Sequence, residues 1–126
     1  MKAYFGIFED YDHMIREWGN IVHTPIPSKS EVLFASYGCE YYSGDALVLF
    51  EHDGTLYEVN GGHCSCYGLS EGNYSGSNES QWRPEETTWT ALAMRKLDPD
   101  QHATEAREAF ASLVAKHVKK ETANAD

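Results

Sequence analysis

Apolar positions set the outline of the fold. Phe8, Tyr11, Ile15 and Trp18 recur at helical spacing, Asp10 or Asp12 can cap their start and Gly19 can end them, which predicts a short first helix. Thr24-Pro25-Ile26-Pro27-Ser28 can neither continue that helix nor enter a sheet interior, so it reads as a connector. Val32 to Tyr37 is a β-prone run. Between Gly38 and Gly44, Glu40-Tyr41-Tyr42 reads either as a second short strand or as a bulged continuation of the first.

The sharpest local signal lies between Asp45 and Asn60, where two β-prone runs flank Asp53-Gly54. A type I′ turn prefers this pair because both of its central residues need positive φ. A two-residue turn sets the register: His52 faces Thr55, Glu51 faces Leu56, Phe50 faces Tyr57, Leu49 faces Glu58 and Val48 faces Val59. Alternation then places Val48, Phe50, Tyr57 and Val59 on one face. Leu47, Leu49, Glu51, Leu56 and Glu58 fall on the other, a mixture that predicts partial cover by another element or by a partner.

Further along, the stretch 68–81 is rich in Gly, Ser and Asn and is expected to be an exposed mobile loop. Trp82-Arg83-Pro84-Glu85-Glu86 resembles a helix entry, with proline in the first turn and acids near the positive end of the dipole. Trp89, Leu92, Ala93 and Leu97 supply its buried stripe. A last helix is expected to start at Asp98-Pro99-Asp100-Gln101 and to bury Ala103, Ala106, Phe110, Leu113, Val114, His117 and Val118, before a fraying tail over 119–126. The expected class is α+β: an antiparallel sheet with a central hairpin over about 45–60, a short N-terminal helix, and two C-terminal helices packed on one face.

A chain of 126 residues with 41% apolar residues is one domain, 1–126, able to bury a core without staples. The start of the chain has acids at Glu9, Asp10 and Asp12 where a signal peptide would be apolar. Its longest purely apolar stretch, Ala46 to Phe50, falls far short of the ~20 residues that cross a bilayer. An odd count of three cysteines fits a reducing compartment, and a cytoplasmic protein is expected.

Charge narrows the partner. Ten Lys and Arg stand against 20 Asp and Glu, a net −10 that disfavours duplex DNA, RNA and anionic lipid. Between Lys29 and Arg83 there is no Lys or Arg, while Glu31, Glu40, Asp45, Glu51, Asp53, Glu58, Glu71 and Glu79 give that block −8. It also holds Tyr37, Tyr41, Tyr42, Tyr57, Tyr67 and Tyr74, six of the eight tyrosines. Mutual repulsion of uncompensated acids costs stability, so the block reads either as a solubilising surface or as a face for a basic protein. Glu40, Tyr41, Tyr42, Asp45, Glu51 and Glu58, with Trp82 as a loop-edge anchor, are the expected contacts of such a face.

His63-Cys64-Ser65-Cys66 offers thiols and an imidazole, and Cys39 or His52 could complete a set of zinc ligands, so Cys39, His63, Cys64 and Cys66 form an alternative metal site. The one-residue gap between Cys64 and Cys66 departs from the Cys-x-x-Cys spacing typical of zinc knuckles; small apolar residues packed under a turn explain the pair equally. As bases for Cys64 or Cys66, sequence neighbours such as His63 are badly placed. The chain contains no phosphate-cradling glycine motif and no His-Glu-x-x-His, and it reads as a binding protein without catalytic residues or cofactor.

The run 53–69, Asp-Gly-Thr-Leu-Tyr-Glu-Val-Asn-Gly-Gly-His-Cys-Ser-Cys-Tyr-Gly-Leu, continuing at Gln81-Trp82-Arg83-Pro84-Glu85-Glu86-Thr87-Thr88, resembles a group of small phage and prophage proteins of unknown function. In that pattern the Gly-Leu step runs nearly straight into Gln-Trp, and this chain inserts roughly Gly72 to Ser80. The resemblance implies a phage-encoded accessory protein in the cytoplasm of an infected bacterium and carries no assigned activity. Joined to the acidic block, it yields the first expectation: stoichiometric inhibition of a host or defence protein that handles nucleic acid, as anti-CRISPR inhibitors act. The alternatives are a zinc-stabilised binding module and a small hydrolase or redox enzyme using Cys64 or Cys66.

Overall fold

A computed structural model describes residues 2–40, 43–63, 68–70 and 80–123, apart from the side chains of Glu40, Thr122 and Ala123. Its order is β1 (Tyr4–Gly6), α1 (Tyr11–Trp18), a single 3-10 turn (Lys29–Glu31), β2 (Val32–Glu40), β3 (Ser43–His52), β4 (Thr55–His63), β5 (Glu85–Glu86), α2 (Trp89–Leu92) and α3 (Thr104–Ala123). The fold is α+β. Its one sheet runs β1-β2-β3-β4-β5, and the sheet is mixed because β1 lies parallel to β2.

Both central strands follow from the turn. Asp53 and Gly54 have φ of 51° and 79°, as a type I′ turn requires, and the pairing runs from His52↔Thr55 to Gly44↔His63. The register derived from the sequence is the observed one. Helix α1 likewise starts where the Asp10 carboxylate accepts from the His13 N–H at 2.8 Å, and it ends at Gly19, whose φ of 78° favours glycine.

Alternation sends the sheet's side chains into two cores. Ala35, Tyr37, Ala46, Val48, Phe50 and Val59 pack beneath α1 with Met14, Trp18 and Trp82. Phe34, Leu47, Leu49 and Leu56 pack beneath α2 and α3 with Trp89, Leu92, Phe110 and Val114. A bulge between Val32 and Phe34 breaks the alternation, so that these two residues join opposite cores. The leucine-bearing face is therefore covered by the chain's own helices.

Three local expectations are corrected. Trp82–Glu86 does not enter a helix: Glu85 and Glu86 pair with Glu58 and Tyr57 as an edge strand, and the cap of α2 is Thr88, whose Oγ1 accepts from Ala91 N–H at 3.1 Å. The acid at the start of α2 comes instead from α3, where Glu121 accepts from the Trp89 and Thr90 N–H groups at 3.0 and 2.9 Å. Those bonds hold the Glu121 carboxyl below its ordinary value, the Thr90 side chain contributing most. Helix α3 begins at Thr104, because residues after Asp98 first make a turn, with Gln101 and His102 N–H on the Asp98 carbonyl at 3.0 and 2.8 Å. Finally, helical structure continues through 119–123, where fraying was expected. Most of the expected loop, 71–79, lies outside the described residues.

Candidate functional site

The acids singled out by charge do not meet in one patch. Asp45 lies near the start of β3, where the β3–β4 hairpin opens, and Glu51 near its turn, six residues apart on β3, or about 20 Å at the rise of a strand. Both, with Glu58, point to the face covered by α2 and α3, where downstream residues engage two of them. Asp45 accepts from His102 Nε2 at 2.9 Å, and Glu58 from Arg95 at 2.7 Å, with Asn60 bonded to both Glu58 and Arg95. Glu51 is exposed beside a hollow lined by Trp89, His117, Lys120 and Glu121. Glu40 pairs with Ser43 across the hairpin, whereas Tyr41 and Tyr42 lie outside the described residues.

Trp82 is no surface anchor. It is 0% exposed, stacked on Phe50 at 5.8 Å and edge-on to Trp18 at 5.4 Å, and its indole N–H donates to the Pro25 carbonyl at 3.2 Å. An aromatic at a loop edge reads as an anchor from sequence alone; here the loop folds it under α1. His117, expected on a buried stripe, is half-buried against Trp89, with ring centroids 4.3 Å apart.

Two polar chains built on histidines occupy the open end of the sheet, one on each face. On the α3 face, Ser36 Oγ lies 2.7 Å from His102 Nδ1, and His102 Nε2 reaches Asp45. A carboxylate only accepts, so Nε2 carries a proton, and in the neutral imidazole the Ser36 hydroxyl donates to Nδ1. The order Ser-His-Asp is that of a hydrolase triad, yet Ser36 and His102 are each 1% exposed, so the hydroxyl meets no substrate. This chain is a structural clamp. It holds the start of α3 on the sheet at Gly38, where a Cβ would sit 1.3 Å from the Gln101 carbonyl oxygen.

On the α1 face, Cys39, Gly44 and His63 form one row across three strands, Cys39↔Gly44 and Gly44↔His63. Strands two apart are separated by about 9.6 Å, too far for adjacent side chains unless the middle residue leaves space. Gly44 leaves it. A Cβ there would lie 2.2 Å from His63 Nδ1, so the imidazole rests on the glycine and brings Nε2 to 3.3 Å from Cys39 Sγ. Its Nδ1 lies 2.8 Å from the hydroxyl of Tyr37, one alternation along β2, with the two rings edge-on at 87°. Burial, with the charges of Glu17 and Cys39, pushes the Tyr37 phenol up to about 12, so it keeps its proton at neutral pH.

The structure thus joins two residues of the alternative metal set, Cys39 and His63, while Cys64 and Cys66 lie outside the described residues. His52, the other possible ligand, is turned to Glu31 at 3.0 Å at the far end of β3. Among the described residues no three His, Cys, Asp or Glu side chains are grouped to hold a metal, and no helix is long and apolar enough to cross a membrane. The sequence grouped Cys39 with His63 only as candidate metal ligands; their direct contact needs the register of both hairpins, and only the one closed by Asp53-Gly54 announces itself. No protein-family model matches this chain, and comparisons with curated proteins and with solved structures find none that is similar.

Proposed function

We propose that the protein acts by stoichiometric binding to a basic protein surface, as a phage-encoded accessory protein that blocks a host or defence protein handling nucleic acid, in the manner of anti-CRISPR inhibitors. The observation that carries the reading is the charge: a net −10, of which −8 falls between Lys29 and Arg83. An acidic surface of this strength raises the encounter rate with a basic groove and competes with phosphate for it.

We infer a contact other than the one the charge pattern suggests. Asp45 and Glu58 are engaged within the fold, whereas Glu51 and Asp53 are exposed at and near the hairpin turn, and Glu85 and Glu86 are exposed on the edge strand β5. Helices cover the sheet's flat faces, so turn and edge are the parts that can enter a groove.

Affinity purification from the infected host, with bound proteins identified, should recover a basic nucleic-acid-handling protein whose capture weakens with salt. Neutralising Glu51, Asp53, Glu85 and Glu86 together should abolish capture without changing the thermal midpoint by more than a few degrees. Undiminished capture by that variant would remove the reading.

A further inference from the structure

The geometry points to Cys39 as a nucleophilic thiol with His63 as its base, a site of thiol–disulfide exchange with small disulfides. Three features of the site support it, and none depends on the acidic binding surface. First, Cys39 is exposed at the open end of the sheet, so its sulfur can be approached. Second, His63 Nε2 stands 3.3 Å from that sulfur, within sulfur hydrogen-bond reach. Third, His63 is held by contacts to atoms other than the thiol. Gly44 supports the plane of its ring and the Tyr37 hydroxyl fixes Nδ1 at 2.8 Å. A nucleophile, a base within reach and a third group orienting the base are the parts that an activated thiol requires.

When Nδ1–H donates to the phenol oxygen, Nε2 is bare and faces the thiol. The proton of Cys39 passes to Nε2, and the thiolate attacks one sulfur of the disulfide along the S–S axis. A new S–S bond joins Cys39 to that half, the old S–S bond breaks, and the departing thiolate takes the proton from His63. One disulfide is consumed, one thiol is released, and no other oxidant is needed. Exchange at sulfur requires an accessible thiolate and a proton relay, which this strand end offers; acyl transfer would need preorganised oxyanion donors as well. Tyr37 is a positioning residue, acting through His63.

The test uses the full chain, reduced, with oxidised glutathione and iodoacetamide as probes between pH 5 and 9, and reads each cysteine separately by peptide mass spectrometry. In the folded protein Cys39 should gain one glutathione, and it should be alkylated faster than the same cysteine in the urea-unfolded chain. At pH 6 the folded rate should exceed the unfolded one by about tenfold or more. His63→Gln should remove that excess, and Tyr37→Phe should reduce it. Because the wild-type profile is read against its own unfolded chain, it decides the matter even where a variant fails to fold. Equal rates in the folded and unfolded states would overturn the inference. Stoichiometric zinc with Cys39 labelled only after chelation would also overturn it, in favour of a metal-ligand pair.

Discussion

His63 and His102 occupy opposite faces of the same end of one sheet, and each is held by a hydroxyl on β2. The Tyr37 phenol holds one and the Ser36 hydroxyl the other. The chains differ at their far ends. His102 ends on the carboxylate of Asp45 beneath α3, with its own side chain fully enclosed, whereas His63 ends on the exposed thiol of Cys39. The buried Ser36 and His102 must have their donors and acceptors satisfied, so the chain that ends on the half-exposed Asp45 locks the loop that carries it. The trio on the other face ends on a thiol, an exposed group that can act as a nucleophile where a carboxylate only accepts hydrogen bonds. Glycine makes both possible: Gly38 admits a backbone on one face, and Gly44 admits a ring on the other.

Substitutions at those glycines and histidines break the comparison in order of severity. Gly38→Ala sets a methyl 1.3 Å from a carbonyl oxygen of the main chain, which cannot rotate away. It should cost about 3 kcal/mol or more in urea unfolding, the upper range of overpacking. His102→Ala removes a ring and strands Ser36, for an expected loss of about 2–4 kcal/mol, with α3 exchanging its amide protons faster than α1. Gly44→Ala meets the His63 ring at 2.2 Å and the Gly38 carbonyl oxygen at 2.7 Å. The ring can swing aside, so the cost should be milder, about 1–3 kcal/mol, and the Cys39 alkylation profile should revert to that of a free thiol. A Gly44→Ala protein that keeps the low-pH reactivity would separate Cys39 from His63 and sink the contrast.

The smallest expected effects are in pH. Folding raises the Tyr37 phenol from 10.0 to about 12, so its contribution is complete below 10 and is lost as pH climbs toward 12. Tyr37→Phe should flatten that alkaline limb of the thermal midpoint. Glu121 lies below its ordinary 4.5, so its contribution is present above 4.5 and falls away as acid protonates it. Glu121→Gln should make the acid limb shallower.

How much of this was legible depended on range. The hairpin register and α1 were readable because Asp53-Gly54, Asp10 and Gly19 act within a few residues of themselves. Strand β1 was not, since three residues carry no period and their partners lie some thirty positions on, Tyr4 against Ala35. The start of α3 was misread because Asp98 has the features of a cap, yet the chain first turns to deliver His102 to Ser36 and Asp45. The acidic block lacks cations of its own, but Arg95 and His102 return from downstream to engage Glu58 and Asp45, a tertiary event with no local signature. The Cys39–His63 contact was hidden for a related reason: it is the sum of two registers, and the second closes through residues whose strand or bulge reading stayed open.

The reach of Glu121 back to the first turn of α2 makes the end of the long helix a clasp. Proteolytic trimming just before that glutamate would unfasten the helical lid from one side of the sheet while leaving the tryptophan-packed side shut, so the two halves of the core should come apart separately and not as a single unit.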